Sequence, residues 1–304
     1  MEVVAAEELD LDVRLRGGHG REDKQRKKGE ETQSNGAHAR TFPKFASCNA
    51  PFLTTVTRVM IFKSLLIPPV LALAFAAPAM AQQIEWDYEG ERGPANWGSL
   101  DPSFSTCSTG LSQSPIDLSG ADSVRAERIR ASYRPTPLVV ENNGYTVEGI
   151  PDEEQTLYIG DKAFRLLQFH FHAPSEHAVT GRRYPLEIHF VHQAADGERA
   201  VFGVLVKRGD RNEAFAELGR LPRSEGDETE VEEPGDLRGL MPRRLTAFRY
   251  AGSLTTPPCS EGIRWNVADS YVEMSRRQID SMSSILGYSA RPLQPRNGRA
   301  LIVG

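Results

Sequence analysis

Short runs of β-branched and aromatic residues recur along the chain between clusters of Gly, Pro and Asn. The segments PLVVENNGYTVEG (137–149), TLYIGDKAFRLLQFHFH (156–172), LEIHFVHQ (186–193) and AVFGVLVKRG (200–209) are of this kind. Runs of that length predict strands, and Asn143-Gly144 and Asp196-Gly197 predict turns between them. Only NEAFAELGRL (212–221) and SRRQIDSMSSIL (275–286) carry a helical pattern. The acidic stretch from Glu225 to Asp236 reads as a solvated loop. The class is therefore mainly β (α+β), with a few peripheral helices.

The longest apolar run is elsewhere, from Leu65 to Ala77. Lys63 precedes it and Ala79-Met80-Ala81 follows, the layout of a secretory signal peptide over residues 60–81. Pro68, Pro69 and Pro78 interrupt the run, which falls short of the ~20 residues that span a bilayer. Cleavage after Ala81 would leave 82–304 as one exported domain with no membrane anchor. Residues 1–59 are polar and aperiodic, and read as a mis-assigned or disordered extension upstream of a start at Met60.

Composition changes this picture little. The chain is 39% hydrophobic and 25% charged, with a net charge of −5, which gives no reason to expect a nucleic-acid partner. The basic cluster at Arg21, Lys24, Arg26, Lys27 and Lys28 is interleaved with acids and reads as solvated. Cys48 falls upstream of the leader, so Cys107 and Cys259 remain as an even pair in an exported protein. A bridge between them would close a loop of about 150 residues, worth about 5 kcal/mol in the chain-entropy account.

The candidate chemistry lies in QFHFHAPSEHAVTGRRYPLEIHFVHQ (168–193), which holds five of the seven histidines. If 168–172 is a strand, Gln168, His170 and His172 share one face while Phe169 and Phe171 point to a core. On the following strand Glu187, His189 and Val191 share a face, and Phe190 and His192 take the other. Antiparallel pairing through 173–186 can bring His170, His172 and His189 together and excludes His192 by parity. Three converging imidazoles without a fourth protein ligand describe a catalytic zinc site with one open position. Gln168 and Glu187 stand two residues from a ligand on the same face, where they can orient the second ring nitrogen. His177 and His192 read as structural.

QFHFH…PSEH…EIHFVH, followed by GSLTTPPCSEGIRW (252–265), resembles the α-class carbonic anhydrases, particularly the exported bacterial ones. WDYEGERGPANWG (86–98), QSPIDL (113–118), VENNG (140–144) and RPLQPRNGR (291–299) extend the resemblance over 86–299. It implies a large, mostly antiparallel twisted sheet with zinc at the bottom of a conical cleft. It implies reversible hydration of carbon dioxide to bicarbonate and a proton, by attack of zinc-bound hydroxide. His170, His172 and His189 would be the zinc ligands, Thr255 the acceptor of a hydrogen bond from the hydroxide, and Glu176 the partner of Thr255. Thr256 would line the site. Val191, on the His189 face, would belong to the apolar wall for carbon dioxide, and the resemblance adds Val201, Leu254, Ile263 and Trp265. It also implies cis bonds at Ser114-Pro115 and Pro257-Pro258, sulfonamide or anion inhibitors, a periplasmic or extracellular address and possible homo-oligomers.

Tyr145 departs from the pattern, since the fastest members carry their proton-shuttle histidine there. A tyrosine pKa of ~10 is poorly matched to proton transfer near neutrality, as is the ~4.3 of an unperturbed Glu148. Turnover limited by proton export and raised by imidazole is the expectation. Tyr88 would order water in the cleft or serve in packing. Two alternatives stand beside the enzyme. His170-x-His172-x3-Glu176 matches the ligand spacing of a cupin-type metalloprotein, with Glu176 a ligand. A catalytically silent anhydrase-like binding module is the other.

Overall fold

The computed structural model describes residues 84–304, so the expectations for 1–59 and for the leader at 60–81 lie outside the described residues, as do Gln82 and Gln83. The first strands are β1 (Asp122–Ser123), β2 (Ile129–Ser132), β3 (Thr136–Asn142), β4 (Val147–Pro151) and β5 (Thr156–Ile159). The centre holds β6 (Lys162–His172), β7 (Leu186–Gln193) and β8 (Arg199–Arg208). Then come β9 (Glu228–Gly235), β10 (Ala247–Ser253), β11 (Glu261–Ala268), β12 (Val272–Met274) and β13 (Ile302–Val303). The main path across the sheet runs β1-β13-β10-β11-β8-β7-β6-β4-β3-β9. Most neighbours are antiparallel, while β11 and β12 both run parallel to β8. Short helices lie beside it: α1 (Trp97–Leu100), α2 (Thr106–Thr109), α3 (Glu213–Ala216) and α4 (Arg276–Leu286).

The strands separate two apolar faces, as their period of two requires. Phe164, Phe169, Phe171, Phe190 and Phe202 are fully buried on the back face, within the larger core cluster. Burial of each such ring stabilises the fold by about 1.5–3 kcal/mol. His192 shares that face, as parity predicts: its Nε2 meets the Tyr133 hydroxyl at 2.5 Å, and burial pushes its pKa down to about 3. A neutral, core-facing histidine is the result. The front face carries a second cluster built on Ile116, Leu118, Val201, Trp265 and Val267.

Two expectations are corrected. The acidic stretch read as a loop contains β9, an edge strand paired with β3. Thr229 and Val231 are half-buried while Glu228, Glu230 and Glu232 are exposed, the alternation of a strand whose outer side faces water. The helix expected over 212–221 closes after Ala216, and Gly219 takes φ +71°, a left-handed value that ends it. The helix expected at 275–286 forms. Ser275 accepts from Gln278 N–H, and the Gln278 side chain takes the Ser275 N–H in return, a reciprocal capping box.

Cys107 and Cys259 are bridged, with Cα atoms 5.0 Å apart across 152 residues of sequence. The bridge packs with Tyr88 and Trp97, so it ties the segment after β10 to the aromatic N-terminal turn. The Ser114-Pro115 and Pro257-Pro258 bonds are cis, as is Ala173-Pro174.

Gly149 on β4 lies directly opposite Phe169, and a Cβ there would run into the Phe169 ring. Gly149→Ala is therefore expected to cost about 1–3 kcal/mol by overpacking. Calorimetric melting should register a fall of about 2–4 °C for each kcal/mol.

Candidate metal centre

One row of side chains crosses the front face of the sheet. In register it reads Glu228, Glu141, Glu148, His170, His189, Gly203 and Val267, on β9, β3, β4, β6, β7, β8 and β11. His170 and His189 are cross-strand partners, and His172 pairs with Glu187. Directly opposite residues project to the same face with Cβ atoms about 5 Å apart. One ring nitrogen from each of His170, His172 and His189 lies within 4.8 Å of the others. The parity argument thus places the three together.

The other ring nitrogens are fixed by acceptors. His170 Nδ1 meets Gln168 Oε1 at 2.8 Å, and His189 Nε2 meets Glu187 Oε1 at 2.9 Å. His172 Nδ1 meets the Ser289 carbonyl at 2.7 Å. Each acceptor selects the tautomer with the proton on that nitrogen. His170 Nε2, His172 Nε2 and His189 Nδ1 are left as lone-pair donors facing one another. Burial, and then the neighbouring ring charges, hold the His170 pKa well below the usual range; burial lowers that of His172 as well. Neutral rings are what a metal requires.

Glu187 is fully buried behind this set. Burial alone would raise its carboxyl pKa, but His177 and His189 hold it well below the usual carboxylate range. His177 donates its backbone N–H to Glu187 Oε2 at 2.8 Å and meets Oε1 through Nδ1 at 2.7 Å. Its Nε2 meets the Tyr250 hydroxyl, which donates to Ser114 Oγ. His177, Glu187 and His189 also cluster closely enough to suit a cation, but the hydrogen bonds engage all three with one another. His177 is a buried support for Glu187. Gly203, opposite His189 on β8, leaves room for that carboxylate: a Cβ there would stand 3.1 Å from Glu187 Oε1.

Glu176 is buried as well. Its Oε1 accepts the Arg291 N–H at 2.9 Å, while Oε2 has no hydrogen-bond partner. The Thr255–Glu176 bond implied by the resemblance is not formed through that oxygen. Oε2 instead faces His172 Nε2 at 3.6 Å and His189 Nδ1 at 3.9 Å. His172 Nε2 is itself buried without a partner. Three ring lone pairs and a carboxylate oxygen converge with no donor between them, an arrangement that fits a cation and costs free energy without one. Thr255 is buried in the turn beyond β10, and Thr256 in the same turn is half-buried.

Val201, Ile263 and Trp265 belong to the front cluster, with Val191 and Leu254 packed against it. Trp265 meets His189 in an edge-to-face contact, with ring centroids 4.9 Å apart. All five apolar wall residues therefore fall in one cluster beside the histidines. Tyr145 stacks on Trp86, with centroids 4.1 Å apart and planes 11° from parallel. Tyr88 packs edge-on against Trp86 and Trp97, and burial, with the Glu176 charge, raises its pKa well above the usual phenol range.

Glu148 is not the unperturbed glutamate expected from sequence. Burial and a hydrogen bond shared with Glu141, its cross-strand partner, raise its pKa to about 7. Sequence reasoning also missed Ser289, Tyr250 and Arg291. Ser289 acts through a backbone carbonyl, which any residue could supply.

The chain matches the eukaryotic-type carbonic anhydrase family over residues 92–303. It is 40% identical over 235 residues to a carbonic anhydrase of Pectobacterium atrosepticum, covering 77% of this chain and 96% of that one. The α-carbonic anhydrase of Thermovibrio ammonificans, solved in complex with the inhibitor sulfanilamide, superimposes with a TM-score of 0.70 at 38% identity. That match covers 72% of this chain and 99% of the other. Dioscorin, solved in complex with ascorbate, aligns with a TM-score of 0.67 at 32% identity, over 72% of this chain and 97% of its own. The cupin alternative falls with the fold, and from the match over residues 92–303, the sheet and the relatives alike, this chain belongs to the eukaryotic-type, or α-class, carbonic anhydrase family.

Proposed function

We propose that the protein catalyses the reversible hydration of carbon dioxide to bicarbonate and a proton, with zinc held by His170, His172 and His189. The observation that carries this reading is the set of three imidazole lone pairs converging without a donor, each ring pinned from behind. Bound there, zinc supplies Lewis acidity that brings the ionisation of water near neutral pH. Gln168, Glu187 and the Ser289 carbonyl hold the rings in orientation. The resemblance assigns Thr255 as hydroxyl donor to Glu176, a bond that the structure does not form, since Glu176 Oε2 stands without a donor. With its single proton committed in that way, Thr255 could only accept a hydrogen bond on the reactant side. Val191, Val201, Leu254, Ile263 and Trp265 offer an apolar surface, which suits a substrate with no net dipole.

Each hydration event releases a proton, which must leave. Tyr145 is poorly suited to carry it. The carboxylates Glu148, Glu141 and Glu228 step outward from His170 to the exposed edge strand. Glu148, with its pKa raised to about 7, can both take up and release protons near neutrality. The reading makes the carboxylate row the exit for the proton. Sulfonamides, as on the Thermovibrio relative, are expected inhibitors. Export through the 60–81 leader, to a periplasm or beyond the cell, belongs to the same reading.

His170→Ala should lower zinc from about one per chain to near none, measured by metal analysis, and abolish hydration followed by stopped flow. A folded His170→Ala protein that keeps both would overturn the metal assignment. Glu148→Gln should lower kcat about 10²-fold in weak buffer, with recovery on adding imidazole. Because the folded pKa of Glu148 lies above its unfolded value, its stabilising contribution is present at low pH and lost as pH rises through about 7. Glu148→Gln escapes that loss, so it should exceed the wild type in stability above about pH 8 and not near pH 5. Mass spectrometry of the native protein should find a mature N-terminus at Gln82, and any peptide from residues 1–59 would refute the start at Met60.

A further inference from the structure

A pair of tyrosines stands apart from the metal centre, where β7 begins and β8 ends. Leu186 of β7 and Val272 of β12 both pair with Val206, so β8 lies between the two strands. Tyr184 leads into β7 and Tyr271 into β12, and their rings meet across β8. The rings are stacked, with centroids 4.8 Å apart and planes 29° from parallel. The Tyr184 hydroxyl donates to that of Tyr271 at 2.8 Å. The chain has eight tyrosines, and among the described residues these two alone are in ring contact with each other.

Tyr184 is held in place. Its N–H donates to Ser175 Oγ at 2.8 Å, its carbonyl accepts the Ser175 N–H, and its ring packs against the front apolar cluster. Tyr271 is the solvent-facing member, 39% exposed, with Lys207 Nζ 6.0 Å from its ring centroid. Burial, and then the bond to Tyr271, push the Tyr184 pKa up to about 12. Near neutrality Tyr184 is a phenol, which gives up an electron together with its proton. One fixed ring and one accessible ring, joined hydroxyl to hydroxyl, bring the carbons ortho to those hydroxyls next to one another.

We propose that Tyr184 and Tyr271 are a site of oxidative coupling, which forms a biphenol cross-link within the chain when a peroxidase-type one-electron oxidant, driven by hydrogen peroxide, acts on them. Each phenol loses one electron and its hydroxyl proton, and the unpaired electron of the phenoxyl is shared with the ortho carbons. A bond forms between one ortho carbon of each ring. The hydrogen on each of those carbons then moves to the oxygen of its own ring, which restores both phenols. The two electrons and two protons released reduce one hydrogen peroxide to two waters. Coupling needs two rings side by side, and rings already in contact are favoured over rings that must meet by diffusion. The new bond ties β7 to β12 across β8 and joins residues 87 apart in sequence. It constrains the unfolded chain as a disulfide would.

The test treats the full chain, at low concentration, with a haem peroxidase and limiting hydrogen peroxide. Biphenol fluorescence is read in the monomer band of a denaturing gel, and the proteolysed monomer is mapped by mass spectrometry. The expected product is a monomer whose Tyr184 and Tyr271 peptides are joined, lighter by two hydrogen atoms than the separate pair. Tyr184→Phe and Tyr271→Phe should each lower the monomer fluorescence about tenfold or more, because a phenol paired with a phenylalanine has no partner radical. Tyr288→Phe removes a tyrosine that is 49% exposed but touches no other tyrosine, and it should leave the signal unchanged. A monomer without the joined peptides, coupling confined to dimers and larger species, or monomer fluorescence that survives Tyr271→Phe overturns the proposal.

Discussion

The cross-strand pairing of His170 with His189 is the constraint on which the rest of the site depends. A slip of one residue between β6 and β7 would turn every side chain of the moving strand to the other face. The back-face rings oppose that slip. Phe169, Phe171 and Phe190 are fully buried, so moving them to the cleft would expose several large apolar surfaces at once. The apolar core thus sets the geometry of a polar site it does not touch.

Behind the histidines a set of buried polar groups is held together by hydrogen bonds. Glu187 would be costly alone; with His177, His189 and the His177 N–H around it, the carboxylate is bound on both oxygens. Tyr250 and Ser114 extend the chain of hydrogen bonds toward the N-terminal segment. Arg291 links a further part: it donates to Glu176, and its guanidinium bonds the carbonyls of Ser114 and Cys107. Segments distant in sequence are therefore joined around one point, with the Cys107–Cys259 bridge beside them.

Much of this was legible from alternation alone. Two strands with histidines on matching parity define the centre, and the helical pattern over 275–286 marks the longest helix. What escaped was set by register or by backbone. The Ser289 carbonyl has no sequence signature. The raised pKa of Glu148 comes from burial first and then from Glu141, its partner across the β3–β4 turn, and both depend on register. The strand β9 was hidden by its charge, because an edge strand needs only one apolar side.

Gly203 sets a condition on where such a centre can be built. A Cβ at that position on the strand next to His189 would stand 3.1 Å from Glu187 Oε1 and would press the carboxylate by a few tenths of an ångström against the ring it orients. Grafting three histidines and their hydrogen-bonding acceptors onto two strands of another sheet would therefore leave a third strand to be chosen with them. A glycine in the same row is the residue that leaves the carboxylate undisturbed.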